Sequence, residues 1–306
     1  MVAKADFIWM DGELVPWGDA NVHVLTHTLH YGVGAFEGIR AYRTVDGRGA
    51  IFRLRDHLSR LCDTARLMLM PMPYSIEELE RACLETLRAN DLKEAYIRPL
   101  AYIAEGRMGL YAFDNPTRVA IATWNWGAYL GDEGLSKGIR ATISSFARHY
   151  TGSTLAKGKV CGHYVNSILA KRQAMLDGYE EAIMLDSEGK VSEATGENIF
   201  VVKNGVVKTP DYSSSILAGI TRDSVLQIGA ELGFEMTEGA VARDELFLAD
   251  EVFMTGTAAE VTPVREVDHR KVGMGEPGPI TKAIQARFFD IVRGNCDGYE
   301  RWLTFV

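Results

Sequence analysis

Short apolar runs broken by tight two-residue turns constrain this chain more than any other feature of its sequence. Phe7-Ile8-Trp9-Met10 and Glu13-Leu14-Val15 flank Asp11-Gly12. Gly38-Ile39-Arg40-Ala41-Tyr42-Arg43 and Ala50-Ile51-Phe52 flank Asp46-Gly47, and the apolar run 199–203 ends at Asn204-Gly205. Asp-Gly and Asn-Gly accept the positive φ angles that a two-residue hairpin turn demands, so each pair predicts two adjacent antiparallel strands. Many hairpins and few β-α-β units disfavour a Rossmann domain, and no GxGxxG run is present. The fold class is read as α+β, a mixed α/β chain.

Helical periodicity appears between the strands. Leu54, Leu58, Leu61 and Ala65 fall on one face of a helix over 54–68. Ser75-Ile76-Glu77-Glu78 places an acid three residues after a serine, a capping box that predicts a helix over 75–90. Further helices are expected over 164–177, over 219–232 with Thr221 as cap and Gly233 as stop, and over 280–292. Strands are expected over 95–103, 119–124, 139–146, 181–186, near Val191, and over 199–203 and 251–255. With 306 residues the chain is long for one core and suits two domains. The glycine-rich, aperiodic run Trp126 to Gly134 reads as their connection. The expected division is a small α/β domain at 1–125, an interdomain loop at 126–136 and a large domain at 137–306.

Charge and composition narrow the function. A net charge of −8 argues against nucleic acid, whose binding rests on Lys and Arg at the phosphates. No run approaches 18 uninterrupted apolar residues, so no membrane span is expected. Met1 to Asp6 carries no apolar run, so no secretion leader is expected, and the location is read as cytoplasmic. Cys62, Cys83, Cys161 and Cys296 lack CxxC spacing and read as free thiols. His23, His27 and His30 have spacings that a metal site could use.

Four segments carry chemistry. Lys157 and Lys159 stand in a short loop before a helix, and either could be a solvated surface residue. The run Val191 to Phe200 sets Glu193 and Glu197 beside Gly196, just before an apolar strand. Leu217-Ala218-Gly219-Ile220-Thr221 is a glycine turn opening a helix, where backbone N–H groups and the helix dipole suit an anion. Met254-Thr255-Gly256-Thr257-Ala258-Ala259 ends a strand in small residues, which permits close approach of a ligand to the backbone.

In these segments the sequence resembles the branched-chain amino-acid aminotransferases, enzymes of the fold-type IV pyridoxal 5′-phosphate (PLP) class. The resemblance rests on eight motifs in order along nearly the whole chain. They begin at His27-Thr28-Leu29-His30-Tyr31-Gly32, Phe36-Glu37-Gly38-Ile39-Arg40, Tyr96-Ile97-Arg98-Pro99 and Trp126-Gly127-Ala128-Tyr129. They continue through Lys159 to Tyr164, Ser192 to Asn198, Gly219 to Asp223 and Gly256 to Glu260.

The resemblance implies two domains with the cofactor at their interface, the large one binding PLP. It implies that Lys159 holds PLP covalently and shuttles the proton of catalysis. Glu193 is implied to face the pyridine nitrogen and Tyr164 the O3′ oxygen. For the 5′-phosphate it implies Arg60, Gly219, Ile220, Thr221, Gly256 and Thr257. For substrate it implies an apolar pocket of Phe36, Tyr31, Trp126 and Tyr129. Tyr96, Thr257 and Ala258 would take the α-carboxylate, with Arg98 at the second carboxylate of glutamate or 2-oxoglutarate and Arg40 assisting. The family carries similar histidines without a metal, so none is expected. The implied reaction is ping-pong transamination between L-leucine, isoleucine or valine and 2-oxoglutarate. A homodimer is implied, alone or built into a hexamer, with Tyr31 and the loop Gly109-Leu110-Tyr111 reaching a neighbouring subunit. His163 stands where many relatives carry asparagine. D-amino-acid or (R)-amine transaminases and aminodeoxychorismate lyase share the scaffold and remain alternatives.

Overall fold

A computed structural model describes residues 4–127 and 130–306. The chain divides into two compact units. The first comprises 1–126, Gly158–His163 and Asp290–Val306, and the second 127–157 and Tyr164–Phe289.

The first unit opens with the expected hairpin, β1 (Phe7–Met10) and β2 (Glu13–Pro16). A one-turn helix α1 (His27–Tyr31) precedes β3 (Gly34–Phe36), β4 (Ile39–Arg43) and β5 (Gly49–Phe52). Helices α2 (Leu54–Leu67) and α3 (Ile76–Ala89) follow, then the long pair β6 (Ala95–Ile103) and β7 (Thr117–Trp124). The capping box forms as read: Ser75 Oγ accepts from Glu78 N, and the Glu78 carboxylate accepts from Ser75 N at 2.8 Å. All pairings in this sheet are antiparallel. Ile39, Ile51, Ile97, Val119 and Ile121 from the sheet, Leu58 and Leu61 from α2, and Leu79 and Leu87 from α3 form its core.

Two segments join this unit against their order in the sequence. The C-terminal strand Leu303–Phe305 pairs with β5 at the sheet edge. Gly158–His163 is held by Phe36 N donating to Lys159 O at 3.1 Å, an Ala35–Val160 bridge, and Gly162 N donating to Gly32 O at 3.0 Å. The expected partition put both segments in 137–306. Their backbone hydrogen bonds put them with residues 32–52, because strand partners are set by pairing and not by order.

The second unit begins with α4 (Gly131–Lys137), a short helix inside the stretch expected to be loop. Then come β8 (Ile139–Ile143), α5 (Tyr164–Leu176), β9 (Glu181–Leu185), β10 (Lys190–Ala194), β11 (Asn198–Lys203) and β12 (Val206–Thr209). Helix α6 (Ile220–Glu231) leads to β13 (Glu235–Glu238), β14 (Val241–Ala242), α7 (Glu245–Leu248), β15 (Glu251–Gly256), β16 (Glu260–Val267), β17 (Arg270–Lys271) and α8 (Pro279–Val292), of which the division assigns residues up to Phe289 to this unit. The sheet is mixed: β8 runs parallel to both β16 and β9, while β11 and β15 are antiparallel. Phe200 and Phe253 stack across the last pair, centroids 4.8 Å apart and both fully buried. The cap of α6 is Gly219, and Thr221 lies inside the first turn. A Cβ at position 219 would collide with Asn198 Oδ1, so glycine suits the cap position.

Candidate active site

Lys159 has its main chain fixed on both sides. Besides the carbonyl bonded to Phe36, its N–H donates to the Thr64 hydroxyl of α2 at 3.0 Å. Its ammonium lies 5.0 Å from the centroid of the Phe36 ring. Phe36 also faces Arg98, whose guanidinium carbon is 4.9 Å from that ring, 5.3 Å from Tyr96 and 5.6 Å from Trp124. Arg98 Nη2 donates to the Tyr96 hydroxyl at 3.5 Å, while its buried Nε has no acceptor among the described residues. Trp126 packs edge-on to Tyr96 at 4.6 Å. A cation ringed by aromatic faces gains attraction without a fixed carboxylate partner.

Phe36, Tyr96, Arg98, Trp126 and Lys159 are thus brought together in the first unit. Arg40 joins them through Trp126, donating from Nη2 to its carbonyl at 3.2 Å, which makes it a brace of that segment. Tyr31 stands apart from these contacts: it is 40% exposed and its ring packs on His27 at 4.5 Å. Tyr129 lies outside the described residues. The three histidines each engage main chain: His27 Nε2 donates to Gly109 O at 2.8 Å, His30 Nε2 to Val24 O at 2.8 Å, and His23 Nδ1 accepts from Leu25 N at 3.1 Å.

Arg60 projects from α2 onto Glu37. Its Nε donates to Oε1 at 2.7 Å and its Nη2 to Oε2 at 2.9 Å, a bidentate pair. Glu37 is fully buried and also accepts from His57 Nδ1 at 2.7 Å and from Gly38 N at 3.2 Å. Burial alone would raise the Glu37 pKa, but the Arg60 charge and the His57 and Arg60 hydrogen bonds outweigh it and hold the carboxyl well below the usual range. Burial lowers the pKa of His57 despite its carboxylate partner, so a neutral ring donates its Nδ1 proton.

The second unit holds Glu193 on β10, 3% exposed. Its Oε1 accepts from Arg148 Nε at 2.7 Å and pairs with Arg148 Nη2 at 2.6 Å. Its Oε2 accepts from Asn198 Nδ2 at 3.1 Å and Leu217 N at 3.0 Å. Asn198 Nδ2 also donates to Leu217 O at 2.9 Å, so one amide ties the carboxylate to the turn that opens α6. Lys157 pins the same turn by donating to Ser214 O at 2.8 Å and Ile216 O at 3.1 Å. It is therefore engaged with main chain rather than solvated, and burial lowers its pKa.

The amides of Ile220 and Thr221 open α6 ahead of its first intrahelical bond, Asp223 N to Gly219 O at 3.0 Å. Asn198 pairs with Thr255 across β11 and β15, which sets Gly256, Thr257 and Ala258 at the end of the neighbouring strand. Tyr164 is the first residue of α5, and Ser167 of that helix accepts from Arg148 Nη1 at 3.1 Å. His163 closes the 3₁₀ turn before α5. Each unit by itself carries groups of the kind PLP chemistry uses: a guanidinium and a lysine in the first, a fixed carboxylate and helix-terminal amides in the second.

Residues 34–267 match the family model described as amino-transferase class IV. The chain belongs to this family. It is 49% identical over 306 residues to a branched-chain-amino-acid aminotransferase of Pseudomonas aeruginosa, covering 100% of this chain and 99% of the relative. The Escherichia coli K12 enzyme of that name is 47% identical, with 99% and 98% covered. The solved structure of the Escherichia coli enzyme superposes with a TM-score of 0.96 over 98% of this chain and 99% of that one, at 47% identity. A branched-chain amino acid aminotransferase from Thermobaculum terrenum, solved in its PLP form, superposes with a TM-score of 0.91, at 36% identity and 98% of both chains. The fold is therefore that of the fold-type IV aminotransferases.

In this class IV aminotransferase, sequence reading passed over Arg148, Asn198, Glu37 and His57. Asn198 and Glu37 stood inside motifs already quoted, each next to an apolar residue, Ile199 and Phe36. Arg148 had none: it reaches Glu193 across 45 positions.

Proposed function

We propose that this chain transfers amino groups between L-branched-chain amino acids and 2-oxoglutarate with PLP as cofactor. Similarity over the full chain to the branched-chain enzymes supports the substrate class and favours it over the D-amino-acid, (R)-amine and lyase alternatives. The observation that carries the chemistry is the anchoring of Glu193 by one guanidinium and two amides, which keeps a carboxylate oriented in a buried place. When bound, the cofactor supplies an aldehyde carbon for the amino group and a ring that accepts the Cα electron pair.

The chain's own residues then do the following. Lys159 would hold the cofactor at its aldehyde carbon until a substrate amino group displaces it, and the displaced lysine amine would then take the Cα proton and deliver it to the cofactor carbon. Its main chain is held by hydrogen bonds on both sides, which fixes the point from which the side chain starts. Glu193 holds a proton at the pyridine nitrogen. Tyr164 bonds O3′. Arg60, the amides at Ile220 and Thr221, and Thr257 take the phosphate, with Gly219 and Gly256 leaving room for it. Phe36, Trp126, Tyr129 and a neighbouring subunit's copy of the Tyr31 position enclose the apolar side chain. Tyr96, Thr257 and Ala258 bind the α-carboxylate. Arg98, held among aromatic faces, is available to the second carboxylate of 2-oxoglutarate.

A homodimer, alone or within a hexamer, is part of this proposal. Leu110 at 93% and Tyr111 at 77% exposure form an apolar loop, tied to α1 through His27 and Gly109, that a second subunit would cover. Sedimentation analysis tests it. Among the described residues no helix is long and apolar enough to cross a membrane. A cytoplasmic location is proposed, to be tested by cell fractionation.

The deciding experiment is spectroscopic. L-Leucine alone should bleach the visible cofactor band, and 2-oxoglutarate should restore it. Lys159→Ala should retain cofactor and lose turnover, and wild-type turnover by that variant would reject the assignment.

A further inference from the structure

We propose that Glu37 is a positioning residue for the cofactor phosphate, acting through Arg60. This rests on the assignment of Arg60 to the phosphate.

The geometry carries the argument. Arg60 presents one edge, Nε and Nη2, to both oxygens of a carboxylate that has no solvent exposure. The Arg60 side chain is itself only 14% exposed. A guanidinium is planar and rigid, so fixing one edge fixes the direction of the other. Glu37 cannot turn to follow a moving arginine, because His57 and its own neighbour Gly38 hold Oε2.

Helix α2 places His57, Arg60 and Thr64 at three- and four-residue spacing, hence on one face. Thr64 donates to Arg60 O at 2.8 Å and accepts the Lys159 amide at 3.0 Å. Phe36, the residue before Glu37, donates to the Lys159 carbonyl. The pair therefore joins the two segments that clamp Lys159, and it sets the guanidinium in register with the lysine backbone. A buried ion pair contributes little to stability by itself and can often be replaced by apolar groups. Its presence on this arginine is better accounted for by orientation.

Glutamine at position 37 keeps the shape but offers one acceptor oxygen to two arginine donors. The test measures release of PLP from the holoenzyme, and competition by inorganic phosphate during PLP rebinding, for wild type, Glu37→Gln, Arg60→Ala and the double variant. Glu37→Gln should release PLP about 10–100-fold faster and weaken phosphate competition, by analogy with the loss seen when the partner that orients a metal-ligating side chain is removed. The Glu37→Gln effect should vanish in the Arg60→Ala background. Wild-type release by Glu37→Gln, or an equal further loss on top of Arg60→Ala, overturns the inference. Wild-type release by Arg60→Ala instead overturns the phosphate assignment itself. If Glu37→Gln does not fold, His57→Leu should release PLP about 3-fold faster, consistent with one lost hydrogen bond. His57→Asn, which restores a donor near the Nδ1 position, should recover most of that. Identical retention by His57→Leu and wild type overturns the inference.

Discussion

Glu37 in the first unit and Glu197 in the second are both withdrawn from solvent, at 0% and 5% exposure, yet they are driven to opposite protonation states. Glu37 receives a bidentate arginine and a neutral imidazole and stays ionised. Glu197 accepts from Gly196 N at 3.0 Å, and its neighbours include the carboxylates of Glu181 and Glu193. Burial first and the Glu181 charge second push its pKa up to about 8, with Lys171 opposing. Lys171 is committed to Glu181, at 2.5 Å from Oε2. Burial sets the stakes for a carboxyl, and the sign of the charges within reach sets the outcome.

The comparison can be broken most severely at Arg60. Arg60→Met leaves the Glu37 carboxylate buried without its cation and should cost about 3–5 kcal/mol in denaturant melts. A loss under about 1 kcal/mol would mean that Glu37 takes up a proton at little cost.

Glu197→Gln should have the opposite sign. A folded pKa near 8 against about 4.5 unfolded means that the folded state holds the extra proton between those values, so wild-type stability falls as pH rises through that window. Glutamine removes this penalty. The variant should gain about 1–3 kcal/mol at pH 7, from about 1.4 kcal/mol per pH unit. The gain should grow from pH 5 to 8 and level off above. A difference constant with pH would contradict the raised pKa.

Glu37→Gln sharpens the contrast from the acid side. The stability owed to ionised Glu37 is fully present above the unfolded pKa near 4.5 and is lost as pH falls toward the depressed folded value. The deficit of the variant should therefore shrink below about pH 4.5, measured by thermal melts. The smallest effect is expected from His57→Asn, under about 1 kcal/mol, since a donor remains.

Local signals were legible wherever the physics is local. The turns at Asp11-Gly12 and Asn204-Gly205, the capping box at Ser75 and the apolar face of α2 all formed as read. The expected strand 139–146 ends at Ile143, after which Ser144 N donates to Ile183 O as the pairing closes. The helix at Gly131–Lys137 was hidden by its glycines. Lys159, Glu193 and the residues proposed for the phosphate all stand in motifs quoted from the sequence.

What the sequence alone determined is the set of elements and the chemical inventory: hairpins, amphipathic helices, a lysine, acids and glycine turns in a recognisable order. Periodicity and turn chemistry act over a few residues, and so can be read from them. Tertiary structure alone decided which unit claims Gly158–His163, that Leu303–Phe305 closes a sheet begun near the other end of the chain, and that Arg148 and Arg60 serve Glu193 and Glu37. Those choices depend on which backbone edges and buried charges meet, and each meeting satisfies a hydrogen bond or an ion that would be costly to leave alone in a core.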